Sequence, residues 1–164
     1  MPQLLVFDLD ETLVHATQCP LPAEALTQIG PYFVYARPHA RRLLEFAAAQ
    51  FDVGIWSSSS HAYVQHVLSH LLPEGFPLKF AWSVERCVQR PDAASGGYVY
   101  IKDLRKLRRL GYDPENVVIV DDSPEKVPRQ PRSHLVVRPF TGDQADAELL
   151  RIQEALERRV SQTE

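Results

Sequence analysis

Three apolar runs that end abruptly in acidic or hydroxyl side chains constrain the fold more than any other feature of the sequence. The runs are Leu4–Phe7, Val53–Trp56 and Val117–Val120. Short, continuous apolar runs of this kind are typical of strands buried on both faces of a parallel sheet. The segments between the runs carry amphipathic helical patterns. We therefore predict an α/β fold, a Rossmann-like, mostly parallel sheet with helices on both faces.

The polar residues that follow these runs are expected to meet in space. In parallel sheets the carboxyl ends of the strands lie at one edge, and ligands bind there. Asp8 and Asp10 follow the first run, Ser57 follows the second, and Asp121 and Asp122 end the third. Four carboxylates in one crevice repel each other unless a cation lies among them. A hard divalent cation with oxygen ligands, Mg²⁺, is therefore predicted as the cofactor.

A phosphate-binding site is predicted beside these acids. Ser57 offers a hydroxyl group, Ser58 offers a backbone N–H at a helix start, and Lys102 offers an ammonium group. Together such groups bind phosphate oxygens. Each has an ordinary structural interpretation when taken alone, because serines before helices act as N-caps and lysines lie on solvated surfaces. The joint arrangement is what indicates a site.

Length and composition favour a soluble globular chain. A chain of 164 residues suits one domain, which we expect to span residues 1–160. No run approaches 18 apolar residues, so no membrane association is expected. The start at 1–3 lacks the basic residues and long apolar segment of a leader, which predicts a cytoplasmic location. Cys19 and Cys87 are too few for a disulfide framework and are expected to be passive thiols.

Four ordered motifs resemble those of the haloacid dehalogenase superfamily of phosphohydrolases. They are DLDETL at 8–13, an apolar strand ending in Ser57, the downstream Lys102, and VDDSP at 120–124. The stretches DLDETLVH, RPH and YIKDL further resemble the branch that contains the small phosphatases of the RNA polymerase II C-terminal domain. The resemblance spans residues 4 to about 156.

This resemblance implies different roles for the individual acidic residues. Asp8 is identified as the nucleophile, which forms an aspartyl-phosphate and also binds Mg²⁺. Asp10 is implied as the general acid and then the general base, with its backbone carbonyl on the metal. Asp122 would complete the metal site. Thr12 would brace the loop, and Asp121 would support the metal site from nearby.

The resemblance also assigns the phosphate site, with two departures from the branch. Ser57, Ser58 and Lys102 are implied to hold the phosphoryl oxygens. The position of Ser57 is usually threonine in the branch, and either hydroxyl donates the same hydrogen bond. The position of Asp122 is commonly asparagine there, so this chain places one more negative charge at the metal.

The spacing between the motifs leaves no room for a large cap domain. The first gap, residues 13–56, is filled by a loop at 16–31, a short strand at 32–36, a helix and the second sheet strand. The second gap contains only a small hairpin insertion near 84–100 beyond its helix and strand. An uncapped crevice suits a phosphoprotein carrying phosphoserine or phosphothreonine, or another phosphorylated macromolecule. A protein partner is favoured over a nucleic acid.

Several alternatives stay open at this point. The same chemistry would suit a polynucleotide 3′-phosphatase or a small-metabolite phosphatase. A phosphate-binding module without catalytic activity is disfavoured, because Asp10 supplies the additional acid that hydrolysis needs. The sequence does not decide whether the basic segment 103–110 faces the site, whether His15 takes part, or what the oligomeric state is.

Overall fold

The computed structural model describes residues 4–162, so the start at 1–3, on which the absence of a leader was predicted, lies outside the described residues. In chain order its strands and helices are β1 (Leu4–Phe7), β2 (Val14–Thr17), β3 (Thr27–Ile29), β4 (Tyr32–Ala36), α1 (Ala40–Gln50), β5 (Asp52–Trp56), α2 (His61–Leu71), β6 (Leu78–Trp82), β7 (Val88–Asp92), β8 (Gly97–Ile101), β9 (Val117–Asp121), β10 (His134–Val136) and α3 (Glu148–Ser161). Short 3₁₀ turns connect several of them, and the longest covers Leu104–Leu110.

The main sheet has five parallel strands in the order β10-β9-β1-β5-β6, which confirms the predicted fold class. The strand β1 lies at the centre. In the register of the sheet, Phe7 at the end of β1 is paired with Ile55 on one side and Val120 on the other. The residues that follow these three positions therefore emerge at the same edge, as the sequence predicts.

The two faces of the sheet are covered differently. Leu5 and Phe7 point into a buried cluster formed with the apolar faces of α1, α2 and α3. Leu4 and Val6 point to the other face, where the 3₁₀ helix Leu104–Leu110 provides the cover. The prediction of helices on both faces is confirmed, with the qualification that the second face has a 3₁₀ helix. Among residues 4–162, no helix has the length and apolar character needed to cross a membrane.

Two small antiparallel units lie at the edge of the main sheet that is formed by the carboxyl ends of its strands, the ligand edge. The first is a three-stranded sheet in the order β2-β4-β3, so the prediction of a loop throughout 16–31 is wrong for its ends. Backbone pairing with β4 orders these ends, and local composition, rich in proline between them, does not reveal that pairing. The second is the β7–β8 hairpin, which matches the hairpin insertion predicted near 84–100 and ends one residue beyond it.

Candidate active site

Asp8 is buried at the end of β1 and is held by two donors. Lys102 Nζ donates to Asp8 Oδ1 at 2.8 Å, and Thr12 Oγ1 donates to Asp8 Oδ2 at 2.9 Å. Burial by itself raises the pKa of the Asp8 carboxyl, but the charge and hydrogen bond of Lys102 outweigh it and hold the pKa below its usual value. The carboxylate is therefore ionised, as a nucleophile must be.

Lys102 is completely buried and bridges two strands. Besides its bond to Asp8, its ammonium donates to Asp121 Oδ2 at 2.5 Å. A buried ammonium is stable only where anions accompany it, because the loss of hydration disfavours the charge. The two carboxylates supply this compensation. The structure thus brings Lys102 to the predicted site, but commits two of its three hydrogens to the acids.

Asp8, Asp121 and Asp122 form a cluster in which one carboxylate oxygen from each residue lies within 4.8 Å of the other two. Burial, together with the neighbouring charge of Asp8, raises the pKa of Asp122 to about 7. Burial is the largest cause of this rise, and repulsion from Asp8 and Asp121 adds to it. Carboxylate oxygens with excess negative charge fit a hard cation such as Mg²⁺. The predicted ligands Asp8 and Asp122 are together, and Asp121, predicted as support, joins them directly.

The carboxyl group of Asp10 is held apart from that cluster. Its Oδ2 accepts a hydrogen bond from Ser59 Oγ at 2.7 Å, and its Oδ1 accepts one from Tyr63 Oη at 2.5 Å. Burial raises the pKa of Asp10 above its usual value, although both hydrogen bonds act in the opposite direction. A raised pKa and a separate location suit a general acid, because the protonated form is more accessible at neutral pH.

Ser59 and Tyr63 were not predicted as site residues. The apolar pattern of α2 places Tyr63 on the inward face, and the side chain of Ser60 caps this helix by accepting from the backbone N–H of Tyr63. One signal in the sequence could have identified Tyr63. A tyrosine in the first turn of a helix that starts at the ligand edge has a hydroxyl within reach of that edge.

The serine run after β5 lies at the same edge of the sheet, where the sequence predicts a phosphate site. The Ser57 side chain is buried, and its Oγ accepts a hydrogen bond from the backbone N–H of Ser59 at 3.0 Å. Ser58 Oγ accepts a hydrogen bond from Lys126 Nζ at 2.9 Å. Lys126 is therefore a second lysine at this edge, which the motifs do not identify.

A buried arginine supports the loop that carries Thr12. Arg37 Nη1 donates to the backbone carbonyls of Glu11 and Thr12, at 3.3 and 3.2 Å. The same guanidinium makes a two-point ion pair with Asp146, at 2.8 and 3.0 Å. Glu11 adopts a positive φ of 62°, a conformation that non-glycine residues rarely take and that these bonds help to maintain. His15 pairs with Glu11 at 2.8 Å, which gives it a structural role.

The basic residues near the opening are partly committed to other contacts. Lys106 Nζ donates to the backbone carbonyl of Arg86 at 2.7 Å, and the Arg86 guanidinium stacks on the ring of Trp82. Arg105 forms an ion pair with Asp103. For these side chains, the structure favours a structural role over direct binding of a ligand at the acidic cluster.

Comparison with known proteins agrees with this arrangement. A family model described as NLI interacting factor-like phosphatase matches residues 3–164. CTD small phosphatase-like protein 3 of Caenorhabditis elegans is 31% identical over 162 residues, covering 93% of this chain and 53% of its own. The human CTD small phosphatase-like protein is 30% identical over 154 residues, covering 89% and 52%. The chain thus spans about half the length of these curated relatives.

Solved structures share the fold at lower sequence identity. The fission yeast RNA polymerase II CTD phosphatase Fcp1 superposes with a TM-score of 0.61 at 23% identity, covering 96% of this chain and 51% of that one. A predicted haloacid dehalogenase-like hydrolase from Porphyromonas gingivalis gives a TM-score of 0.61 at 13% identity, covering 95% and 98%. The fold is thus shared with haloacid dehalogenase-like hydrolases, and the family match over almost the whole chain leads to one conclusion: the chain belongs to the NLI interacting factor-like phosphatases.

Proposed function

We propose that this protein is a Mg²⁺-dependent phosphomonoester hydrolase that acts through an aspartyl-phosphate on Asp8. One observation carries the proposal. A buried carboxylate, Asp8, is kept ionised by Lys102, while a second carboxyl group, Asp10, is held separately with a raised pKa. Two carboxyl groups in different environments can serve as nucleophile and as acid, respectively.

The reaction follows from these positions in two steps. In the first, Asp8 attacks phosphorus, the bond to the leaving oxygen breaks, and Asp10 donates its proton to that oxygen. In the second, Asp10 takes a proton from water, which attacks the aspartyl-phosphate and releases inorganic phosphate. Ser57, Ser58 and Lys102 bind the phosphoryl oxygens throughout.

The metal site is proposed with the ligands that the resemblance implies. Asp8, Asp122 and the backbone carbonyl of Asp10 would hold Mg²⁺, and Asp121 would orient Lys102 next to them. When bound, the ion neutralises negative charge on the phosphoryl group and on the attacking carboxylate. Burial is the main cause of the raised pKa of Asp122, and repulsion from Asp8 and Asp121 adds to it. A cation would relieve that repulsion, which supports the assignment.

A phosphoprotein is the proposed substrate class. Among residues 4–162, the strands outside the main sheet form only two small antiparallel units, β2-β4-β3 and β7–β8, and no large cap domain, which supports an open site. A mouse relative is named carboxy-terminal domain RNA polymerase II polypeptide A small phosphatase 2, so a phosphoserine peptide of that type is the first substrate to test. The competing substrate is a polynucleotide 3′-end. That residues 1–160 form one domain, and that the protein acts in the cytoplasm, stay predictions.

Replacement of the nucleophile tests the chemistry. Asp8→Asn should abolish hydrolysis of p-nitrophenyl phosphate while far-UV circular dichroism stays unchanged, and EDTA should stop the wild type until Mg²⁺ is added. Asp143→Asn, an exposed carboxylate, is the matched control. Near-normal turnover by Asp8→Asn would remove the nucleophile assignment.

A substrate panel tests the class of ligand. Phosphoserine and phosphothreonine peptides should be hydrolysed faster than a 3′-phosphorylated oligonucleotide. Turnover of the oligonucleotide alone would establish the competing function. Binding of phosphopeptides without turnover, in the presence of Mg²⁺, would indicate a phosphate-binding module instead.

A further inference from the structure

Lys126 occupies a fixed position at the ligand edge that the four motifs do not explain. It ends the 3₁₀ turn Pro124–Lys126, which comes soon after Asp121 and Asp122. Its backbone carbonyl accepts a hydrogen bond from the backbone N–H of Lys102 at 2.7 Å. The next residue, Val127, is buried in the core on the second face of the sheet. The turn is therefore anchored on both sides, while the Lys126 side chain stays partly exposed.

The ammonium of Lys126 is directed to the phosphate site by Ser58. Lys126 Nζ lies 2.9 Å from Ser58 Oγ, and the two residues are 68 positions apart in the sequence. Ser58 is flanked by Ser57, whose hydroxyl is at the predicted phosphate site, and by Ser59, which bonds Asp10. An ammonium has three hydrogens, so the bond to Ser58 leaves two for another acceptor.

The charge of the site favours a second cationic side chain. Asp8, Asp10, Asp121 and Asp122 contribute four carboxyl groups, against which Lys102 sets one buried positive charge. A phosphate monoester adds up to two further negative charges near neutral pH. Even with a divalent cation present, the negative charge of the acids and the substrate together exceeds the positive charge of the metal and Lys102. A partly exposed ammonium at the same edge would offset that excess.

We propose that Lys126 is a further phosphoryl-binding residue, whose ammonium, oriented by Ser58, contacts an oxygen of the phosphoryl group. The inference rests on the proposed function and adds a residue to it. Lys102 has only one hydrogen left for the phosphoryl oxygens, because it is fully buried and already bonds two carboxylates. Lys126 serves the ligand, because its bond to Ser58 leaves two hydrogens of the ammonium and its side chain is partly exposed.

Electrostatic coupling within the site agrees with this placement. Burial is the main cause of the raised pKa of Asp10, and the positive charge of Lys126 acts against that rise. The same charge favours the ionised forms of Asp8 and Asp122. A charge that influences all three acids lies close enough to influence a phosphoryl group bound among them.

Substitution of Lys126 separates phosphoryl binding from a structural role. Lys126→Gln should raise KM for p-nitrophenyl phosphate by about tenfold or more, since a charge-assisted hydrogen bond is lost. The inhibition constant of inorganic phosphate should rise by a similar factor. Lys126→Arg keeps the charge, so its KM and its inhibition constant for phosphate should both lie closer to the wild-type values than those of Lys126→Gln. The matched control is Lys79→Gln, whose ammonium forms an exposed pair with Asp52 at the opposite edge of the sheet.

The outcomes distinguish this proposal from the proposed function. An active Lys126→Gln variant with wild-type KM and wild-type phosphate inhibition would overturn the assignment. So would a fall in kcat with phosphate inhibition unchanged. If the wild type proves inactive, calorimetric titration with inorganic phosphate and Mg²⁺ still decides: weaker binding by Lys126→Gln than by Lys79→Gln supports the phosphoryl-binding role. Equal binding by the two variants, or none by the wild type, overturns it.

Discussion

Removing one charge from the ion pair between Arg37 and Asp146 should destabilise the protein far more than removing one from a surface pair. Asp146→Asn keeps the size of the side chain and keeps an oxygen that can accept from the backbone N–H of Glu148, as Asp146 Oδ1 does now at 3.1 Å. The substitution therefore changes mainly the charge opposite Arg37. That guanidinium is fully buried, whereas the Asp146 side chain is 16% exposed.

The expected loss follows from the contacts of Arg37. Leaving a buried charge without its partner costs about 3–5 kcal/mol. Two features reduce this here: the backbone carbonyls of Glu11 and Thr12 still accept from Arg37, and Asp146 is not completely desolvated. We therefore expect the lower end of the range, about 3 kcal/mol. For a chain of this size that corresponds to a fall in Tm of roughly 6–12 °C.

Urea unfolding followed by tryptophan fluorescence provides the measurement, because Trp56 and Trp82 both lie in the main sheet. Lys79→Gln is the control, since it removes one charge from a pair whose side chains are 49% and 41% exposed. Exposed pairs contribute about 0–1 kcal/mol. A loss below about 1 kcal/mol for Asp146→Asn, or one equal to the control, would refute the reasoning from burial.

Three further predictions follow from individual contacts. Burial tends to raise the pKa of Glu148, but hydrogen bonds from Arg151 hold the pKa below its usual value. The ionised carboxylate therefore stabilises the folded protein at neutral pH, and this stabilisation is lost as pH falls through the lowered pKa. Urea unfolding between about pH 6 and about pH 3 should accordingly show a weaker pH dependence for Glu148→Gln than for the wild type. Gly54→Ala should lower stability by about 1–3 kcal/mol, because a Cβ at this position overlaps the ring of Phe80; an unchanged urea midpoint would show that the ring moves freely. Tyr63→Phe should lower kcat by about tenfold with KM nearly unchanged, because Asp10 loses a donor that orients it; steady-state kinetics that show an equal rise in KM would argue for a role in substrate binding.

The sequence by itself determined the sheet and the edge at which the chemistry lies. Apolar runs such as Leu4–Phe7 and Val117–Val120 indicate burial on both faces, which is typical of a parallel sheet between covering layers. The direction of parallel strands then places Asp8, Ser57 and Asp121 at one edge without any knowledge of side-chain packing. These features are local in the sequence, so local patterns suffice to predict them.

The partners of the site residues were decided only by the tertiary structure. Tyr63 and Asp10, Lys126 and Ser58, and Arg37 and Asp146 meet across 53, 68 and 109 positions of sequence. Whether such pairs form depends on how a helix or turn is rotated when it packs on the sheet, and hydrophobic periodicity fixes the buried face without fixing which polar side chains meet at its margin. Sequence therefore specified the groups that directly follow the strands, whereas packing between distant segments added Tyr63 and Lys126 and selected the hydrogen bonds and charges around them.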